Sequence, residues 1–302
     1  MPVEAIHLSA FADSVAQSRA RPLLTAHPSL FSLGRLGALV LDLPYFERFP
    51  LGVMRHLLKR PTAVSRWGDA LHFGTPVGIL HRLLDQVRAL SRGQAAESIR
   101  FDAQRLLALA LGVASHLAVD ASMHPLVNRL AKERAARLAD DPLRQHSEVE
   151  KFQSVLFHEQ RNGFDFMGSP ALRQHIDVPT ASLHSDALLR ESFLSALQAT
   201  VGERPSAATL RDWCRGYAQF TWLLSSPLGK TLVPERAKVE VRQELFAGPD
   251  FLGAYRQAVS ASRRALDTTI DLAFNDASEL AQSQAHLPAG PIDGDGPLLS
   301  DT

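Results

Sequence analysis

Apolar residues recur at spacings of three and four through most of the chain, and strand-type alternation is scarce, the mark of amphipathic helices. The pattern predicts an all-α, multi-helix bundle. A first helix is expected over 4–24, closed by Arg21-Pro22. A loop and a short apolar segment follow, down to Asp42 and Pro44, with Gly34 and Gly37 suggesting close backbone approach. Trp67 to His72 leads into a turn at Gly74 to Pro76 and then a helix. The most apolar stretch, "RLLALALGVASHLAVDASMHPLVNRLAKE", runs from Arg105 to Glu133, with Pro125 expected to leave His124 at a helix end or a kink. Asp141 as N-cap and Pro142 at the first helical position open the next helix, striped by Val149, Phe152 and Leu156. "RNGFDFMGSP" breaks the pattern, and helices are expected over 183–200, 206–225, 234–246 and 250–284. The chain divides into a helical core over 1–170, a C-terminal helical region over 171–285 packed on it, and a Gly-, Pro- and Asp-rich tail over 286–302 expected to be disordered.

Within the apolar stretch stand three side chains of the metal-binding type, His116, Asp120 and His124. Residues four apart share a helix face at about 5–6 Å, so each histidine can share an ion with Asp120. The two histidines are about 12 Å apart along the axis, too far for one zinc with bonds of about 2.0–2.1 Å. Spacing alone therefore suggests two ions with Asp120 near or between them, the apparatus commonly used on phosphoesters. Chance placement of 12 histidines and 32 acids yields one or so His-to-acid pairs at spacing four, and three occur: His81/Asp85, His116/Asp120 and His146/Glu150. The flanking Leu, Ala and Val single out the second pair, since a buried carboxylate must be hydrogen-bonded or hold a metal.

Composition narrows the partners. The chain is 45% hydrophobic and 21% charged, with a formal net charge of zero, which removes the simplest argument for nucleic acid. Arg129, Lys132, Arg134 and Arg137 cluster among acids and read as a solvated helix face. Cys214 is the single cysteine, so an internal disulfide is excluded. The first residues lack a basic and apolar export signal, and the longest apolar run is short of the roughly 20 residues that span a bilayer. A cytoplasmic protein with room for membrane-surface contact is expected.

His7, Asp42 in "LVLDLP", His72 in "GDALHFG", then "SHLAVDASMHP" and "HSEVE" resemble, in that order, the zinc-dependent phospholipase C family, which shares its architecture with S1/P1-type nucleases; the similarity is greatest to its bacterial members and covers roughly residues 1–165. The resemblance implies an all-helical fold with up to three zinc ions in a cleft. One ion would take Asp42, His72, His116 and Asp120. A second would take His124, His146 and Glu150, and a third would use His7 and Asp120, with Asp120 bridging and Asp42 as the catalytic base. Asp69 is the alternative to Asp42, because the upstream Asp-to-His distance is longer here than in the secreted members.

Imidazoles with carboxylates suit zinc, which lowers the pKa of bound water to about 7. The expected function is hydrolysis of a phospholipid or small phosphodiester by metal-bound hydroxide attacking phosphorus. An S1/P1-type nuclease and a non-catalytic, metal-stabilised interaction scaffold are the alternatives. "RDWCRGYAQFTWLLSSP" brings Trp213, Tyr217, Phe220 and Trp222 close together, as core or as a lipid-facing edge.

Overall fold

A computed structural model of the chain describes residues 4–51, 65–72, 74–92, 97–163, 165–246 and 249–274. His56 and the expected tail lie outside the described residues, which are helical with no strand among them. In chain order the helices are α1 (Glu4–Val15), α2 (Arg21–Ala26), α3 (Pro28–Gly37), α4 (Arg66–His72), α5 (Val77–Ser91), α6 (Glu97–Leu138), α7 (Pro142–Asn162), α8 (Leu172–Ile176), α9 (Thr180–Ser185), α10 (Ala187–Val201), α11 (Ala207–Ser225), α12 (Gly229–Leu232), α13 (Glu235–Leu245) and α14 (Pro249–Phe274), with a 3₁₀ turn at Leu43–Phe46.

The bundle is organised around α6, on which α3, α5, α7 and α14 all pack. Its middle, from Leu106 to Asp120, is buried on every side, as an all-round apolar helix must be. Each Leu enclosed there is worth about 1.5–3 kcal/mol. An 18-residue window of α6 has mean hydropathy 1.6, enough in length and composition to cross a membrane, yet 89% of it is buried inside the protein.

Two glycines set the closest crossing. A Cβ at Gly37 on α3 would run into the Leu109 carbonyl oxygen, and one at Gly112 on α6 into that of Gly34. Only backbones without side chains can approach this closely. The crossing carries the end of α3, and Asp42 beyond it, onto the His116 to Asp120 turn of α6.

Several expectations change. The first helix stops at Val15, and Arg21-Pro22 opens α2 rather than closing α1, with Pro22 in its first turn, where a missing N–H costs nothing. Residues 28–37 form a helix instead of a loop: the His27 ring accepts from the Ser29 N–H and Pro28 takes the first turn. Pro125 sits inside an unbroken α6, and Ala121, whose carbonyl loses its helical partner, is exposed to water. Arg134 is not on a solvated face. It is buried, bonded to Gln145 at 3.0 Å and Glu244 at 2.6 Å. The aromatic group on α11 divides, with Trp213, Tyr217 and Phe220 buried and Trp222 60% exposed. Among the starts and stops that match are Asp141 capping α7 and Gly163 ending it in the left-handed region.

Candidate metal centre

His116, Asp120 and His124 stand one turn apart on the same face of α6, all buried. Four other elements converge on them. α1 brings His7, the turn after α3 brings Asp42, α4 ends on His72, and α7 carries His146 and Glu150 one turn apart.

Asp120 lies between two groups of ligands. Its Oδ2 is 3.0 Å from His116 Nε2 and 3.8 Å from His72 Nε2; its Oδ1 is 3.0 Å from His7 Nε2 and 3.6 Å from His124 Nε2. Asp42 Oδ1 is 3.1 Å from His72 Nε2. On the other side, Glu150 Oε1 is 3.0 Å from His146 Nε2 and 3.5 Å from His124 Nε2. Three sets of ligand atoms each lie within 4.8 Å of one another: His7, Asp42 and His116; His72, His116 and Asp120; His124, His146 and Glu150. Asp69 belongs to no such set among the described residues.

The outer nitrogens decide what these rings can do. His116 Nδ1 lies 3.0 Å from the Ala38 carbonyl, His72 Nδ1 2.9 Å from that of Gly68, and His146 Nδ1 2.9 Å from Asn128 Oδ1. A backbone carbonyl only accepts, so His116 Nδ1 and His72 Nδ1 must carry the proton, and the Asn128 oxygen asks the same of His146; a neutral ring then turns a bare lone pair at Nε2 toward a carboxylate oxygen. Two lone pairs about 3 Å apart repel unless a cation lies between them, either a proton or a metal ion. Although His116 Nε2 and Asp120 Oδ2 are only 3.0 Å apart, neither makes a hydrogen bond, and Asp42 Oδ2 is likewise buried without one. The donor set fits zinc: imidazole Nε2 with carboxylate oxygen, and each ring held by an outer acceptor.

The electrostatics favour positive charge here. Burial pushes the Asp120 carboxyl up, but His116, His7 and His124 outweigh it and hold it well below the usual carboxylate range. Glu150 is lowered in the same way by His146 and His124, and Asp42 by His116 and His72. Burial pulls His116 down, yet Asp120 and Asp42 leave it raised overall.

The sequence model of a family described as zinc dependent phospholipase C matches residues 7–209, well over half of the chain. The chain belongs to the zinc-dependent phospholipase C family. No curated protein and no solved structure matches it. The matched range contains all eight side chains described above.

Outside that cluster, Asn128 and Gln153 were not singled out by motif. Asn128 could have been, since it follows His124 by one turn on the same face of α6. The carbonyls of Ala38 and Gly68 leave no trace in side-chain identity. Of the remaining histidines, His158 and His175 form a separate pair, ring centroids 5.8 Å apart, beside Phe166. Cys214 is buried and its thiol is pushed up to about 12 by burial, which leaves it no role as a nucleophile.

Proposed function

We propose that the protein is a zinc-dependent phosphodiester hydrolase acting on a phospholipid or a small phosphodiester. The observation that carries this reading is the set of three imidazoles whose outer nitrogens are tied to acceptors while their inner nitrogens face carboxylates. One ion would be held by Asp42, His72, His116 and Asp120, a second by His124, His146 and Glu150, with Asp120 shared and His7 against it. When bound, such ions supply Lewis acidity toward the phosphoryl oxygens and hydroxide at neutral pH.

The chain's own groups divide the remaining work. Asp42 acts as the base: its Oδ1 lies 3.1 Å from His72 Nε2, and its Oδ2, which makes no hydrogen bond, is the oxygen that accepts a proton from water. Glu150, His146 and Asp42 are the more exposed members, with side-chain exposures of 12%, 18% and 13%. Neutral net charge favours a lipid or small diester over a nucleic acid strand.

The test is zinc reconstitution followed by metal analysis and a panel comprising phosphatidylcholine vesicles, a chromogenic phosphodiester and single-stranded DNA. Two zinc ions per chain and hydrolysis of one of the first two substrates are expected. Bound zinc with no product from any substrate would overturn the hydrolase. The near-complete burial of His116 and Asp120 favours one second reading, a closed structural metal site. In that case zinc would resist chelation until the protein unfolds.

A further inference from the structure

Away from the metal centre, the C-terminal end of α1 and the middle of α14 enclose an open groove of about 580 Å³, lined by none of the eight ligand side chains. Arg256 and Arg263 stand along it on α14. Ser260, four residues after the first and three before the second, shares their helix face.

The charge of the two arginines is unanswered. Among the described residues neither guanidinium has a hydrogen bond or an ion pair, although Arg263 is half-buried. Nearby acids are committed to other cations. Asp13, which lines the groove from α1, takes both ends of the Arg161 guanidinium at 2.7 Å and the Tyr255 hydroxyl at 2.7 Å. Asp267 and Asp271, the next acids along α14, are both held by Arg19. Ser260 adds a neutral donor: its Oγ accepts from Arg264 Nη1 at 2.9 Å, which leaves the hydroxyl hydrogen free for another acceptor.

Guanidinium forks match the oxygens of a phosphate group. A phosphate monoester carries a charge of about −1.5 to −2 at neutral pH, which two free guanidiniums neutralise, whereas a diester would leave one of them unmet. The groove falls within the range of about 300–1,000 Å³ usual for small-molecule sites. That is room for an organic remainder against the apolar Ala16 and Val259.

We propose that this groove binds a phosphate monoester, its phosphoryl oxygens held by Arg256, Arg263 and the Ser260 hydroxyl. Two sources share that chemistry, a free phosphate ester and a lipid headgroup of the phosphatidic acid type. The site is separate from the metal centre and does not depend on the hydrolase reading.

The full zinc-loaded chain is titrated with glycerol phosphate by calorimetry and, separately, mixed with phosphatidic acid in micelles of a non-ionic detergent, co-migration being read by gel filtration. Neither probe is a phosphodiester, so the proposed reaction consumes neither. Binding should weaken about 10–100-fold in the double variant Arg256→Gln/Arg263→Gln, which loses charge-assisted hydrogen bonds. Arg256→Gln alone, at an exposed position that the fold does not use, should weaken it about tenfold. Arg211→Gln, at an exposed position on α11, should change nothing. Glycerol phosphate binding with this pattern identifies a free ester as the ligand; micelle binding with the same pattern and no response to glycerol phosphate identifies the lipid headgroup. The proposal is overturned if wild type binds neither probe, or if the double variant binds as well as wild type, which would put the phosphate on the zinc ions. Equal weakening by Arg211→Gln would also overturn it, because the effect would then be one of net charge.

Discussion

Two groups of buried histidines in this bundle have opposite electrostatic designs. Around α6, His116 is completely buried yet more basic than an ordinary histidine, because Asp120 and Asp42 face it. On α7, His158 is just as enclosed, but its neighbours are Phe166, stacked at 4.5 Å, the Ser9 hydroxyl at 3.4 Å and a second imidazole, His175. Burial, with no carboxylate to answer it, pushes His158 down to about 4. The same side chain at the same depth is thus built to face a cation in one place and to stay neutral in the other. Burial does not distinguish a metal ligand from a core histidine; the opposing carboxylate does.

The comparison breaks most sharply if its central carboxylate is removed. Asp120→Ala and His116→Ala should each abolish stoichiometric zinc, read by metal analysis, and lower kcat/KM by about 10³-fold or more, at or beyond the cost of losing one preorganised electrostatic group. In metal-free protein Asp120→Ala should also destabilise by about 3–5 kcal/mol, because it strands buried imidazoles without their counter-charge. Full zinc occupancy in Asp120→Ala would mean that the α6 cluster is not the metal centre.

The charge-excluding group makes a pH prediction. Folded His158 has a pKa near 4, while the unfolded chain has about 6.5, so between those values the unfolded state binds more protons. Stability from this residue is then complete above about pH 6.5 and is lost as pH falls toward 4, by about 3 kcal/mol in total. Asp120, Glu150 and Asp42, with folded pKa values lowered, also lose stability on acidification, so the signal is the difference between wild type and His158→Gln. Denaturant unfolding at pH 7 and pH 4.5 should show the variant losing less. Equal losses in both proteins would place His158 outside this account.

Much of the site is legible in the sequence because its ligands are local in spacing. His116/Asp120/His124 and His146/Glu150 lie one turn apart on helices whose apolar stripes and caps announce them. Asp42 and His72 are legible only through the family's motif order, since nothing in their own neighbourhoods says that they meet. The backbone acceptors are not legible at all: Ala38 reaches His116 because Gly37 and Gly112 let two helices touch, and a glycine pair in sequence does not state its partner. The misread segments share a cause. Arg21-Pro22 reads as a stop and the stretch after it as a loop, although proline is as much at home in the first turn of a helix as beyond its end. Pro125 reads as a helix end or a kink, which its water-exposed surroundings make unnecessary.

The smallest effect lies in the outer contacts that set the rings. His116 and His72 are oriented by backbone carbonyls, which substitution cannot remove, but His146 depends on a side chain, Asn128. Asn128→Leu should leave the fold in place, since the residue is only partly buried, and weaken zinc at the His124, His146 and Glu150 set by about 10–100-fold. Competition with a chromophoric chelator would read this as loss of one of two ions while the set around Asp42 stays filled. Asn128→Asp retains the acceptor oxygen and should restore affinity, which a packing role for Asn128 would not predict. If Leu and Asp behave alike, the hydrogen bond to His146 Nδ1 does not set that ring, and the contrast between the two histidine groups rests on the facing carboxylates alone.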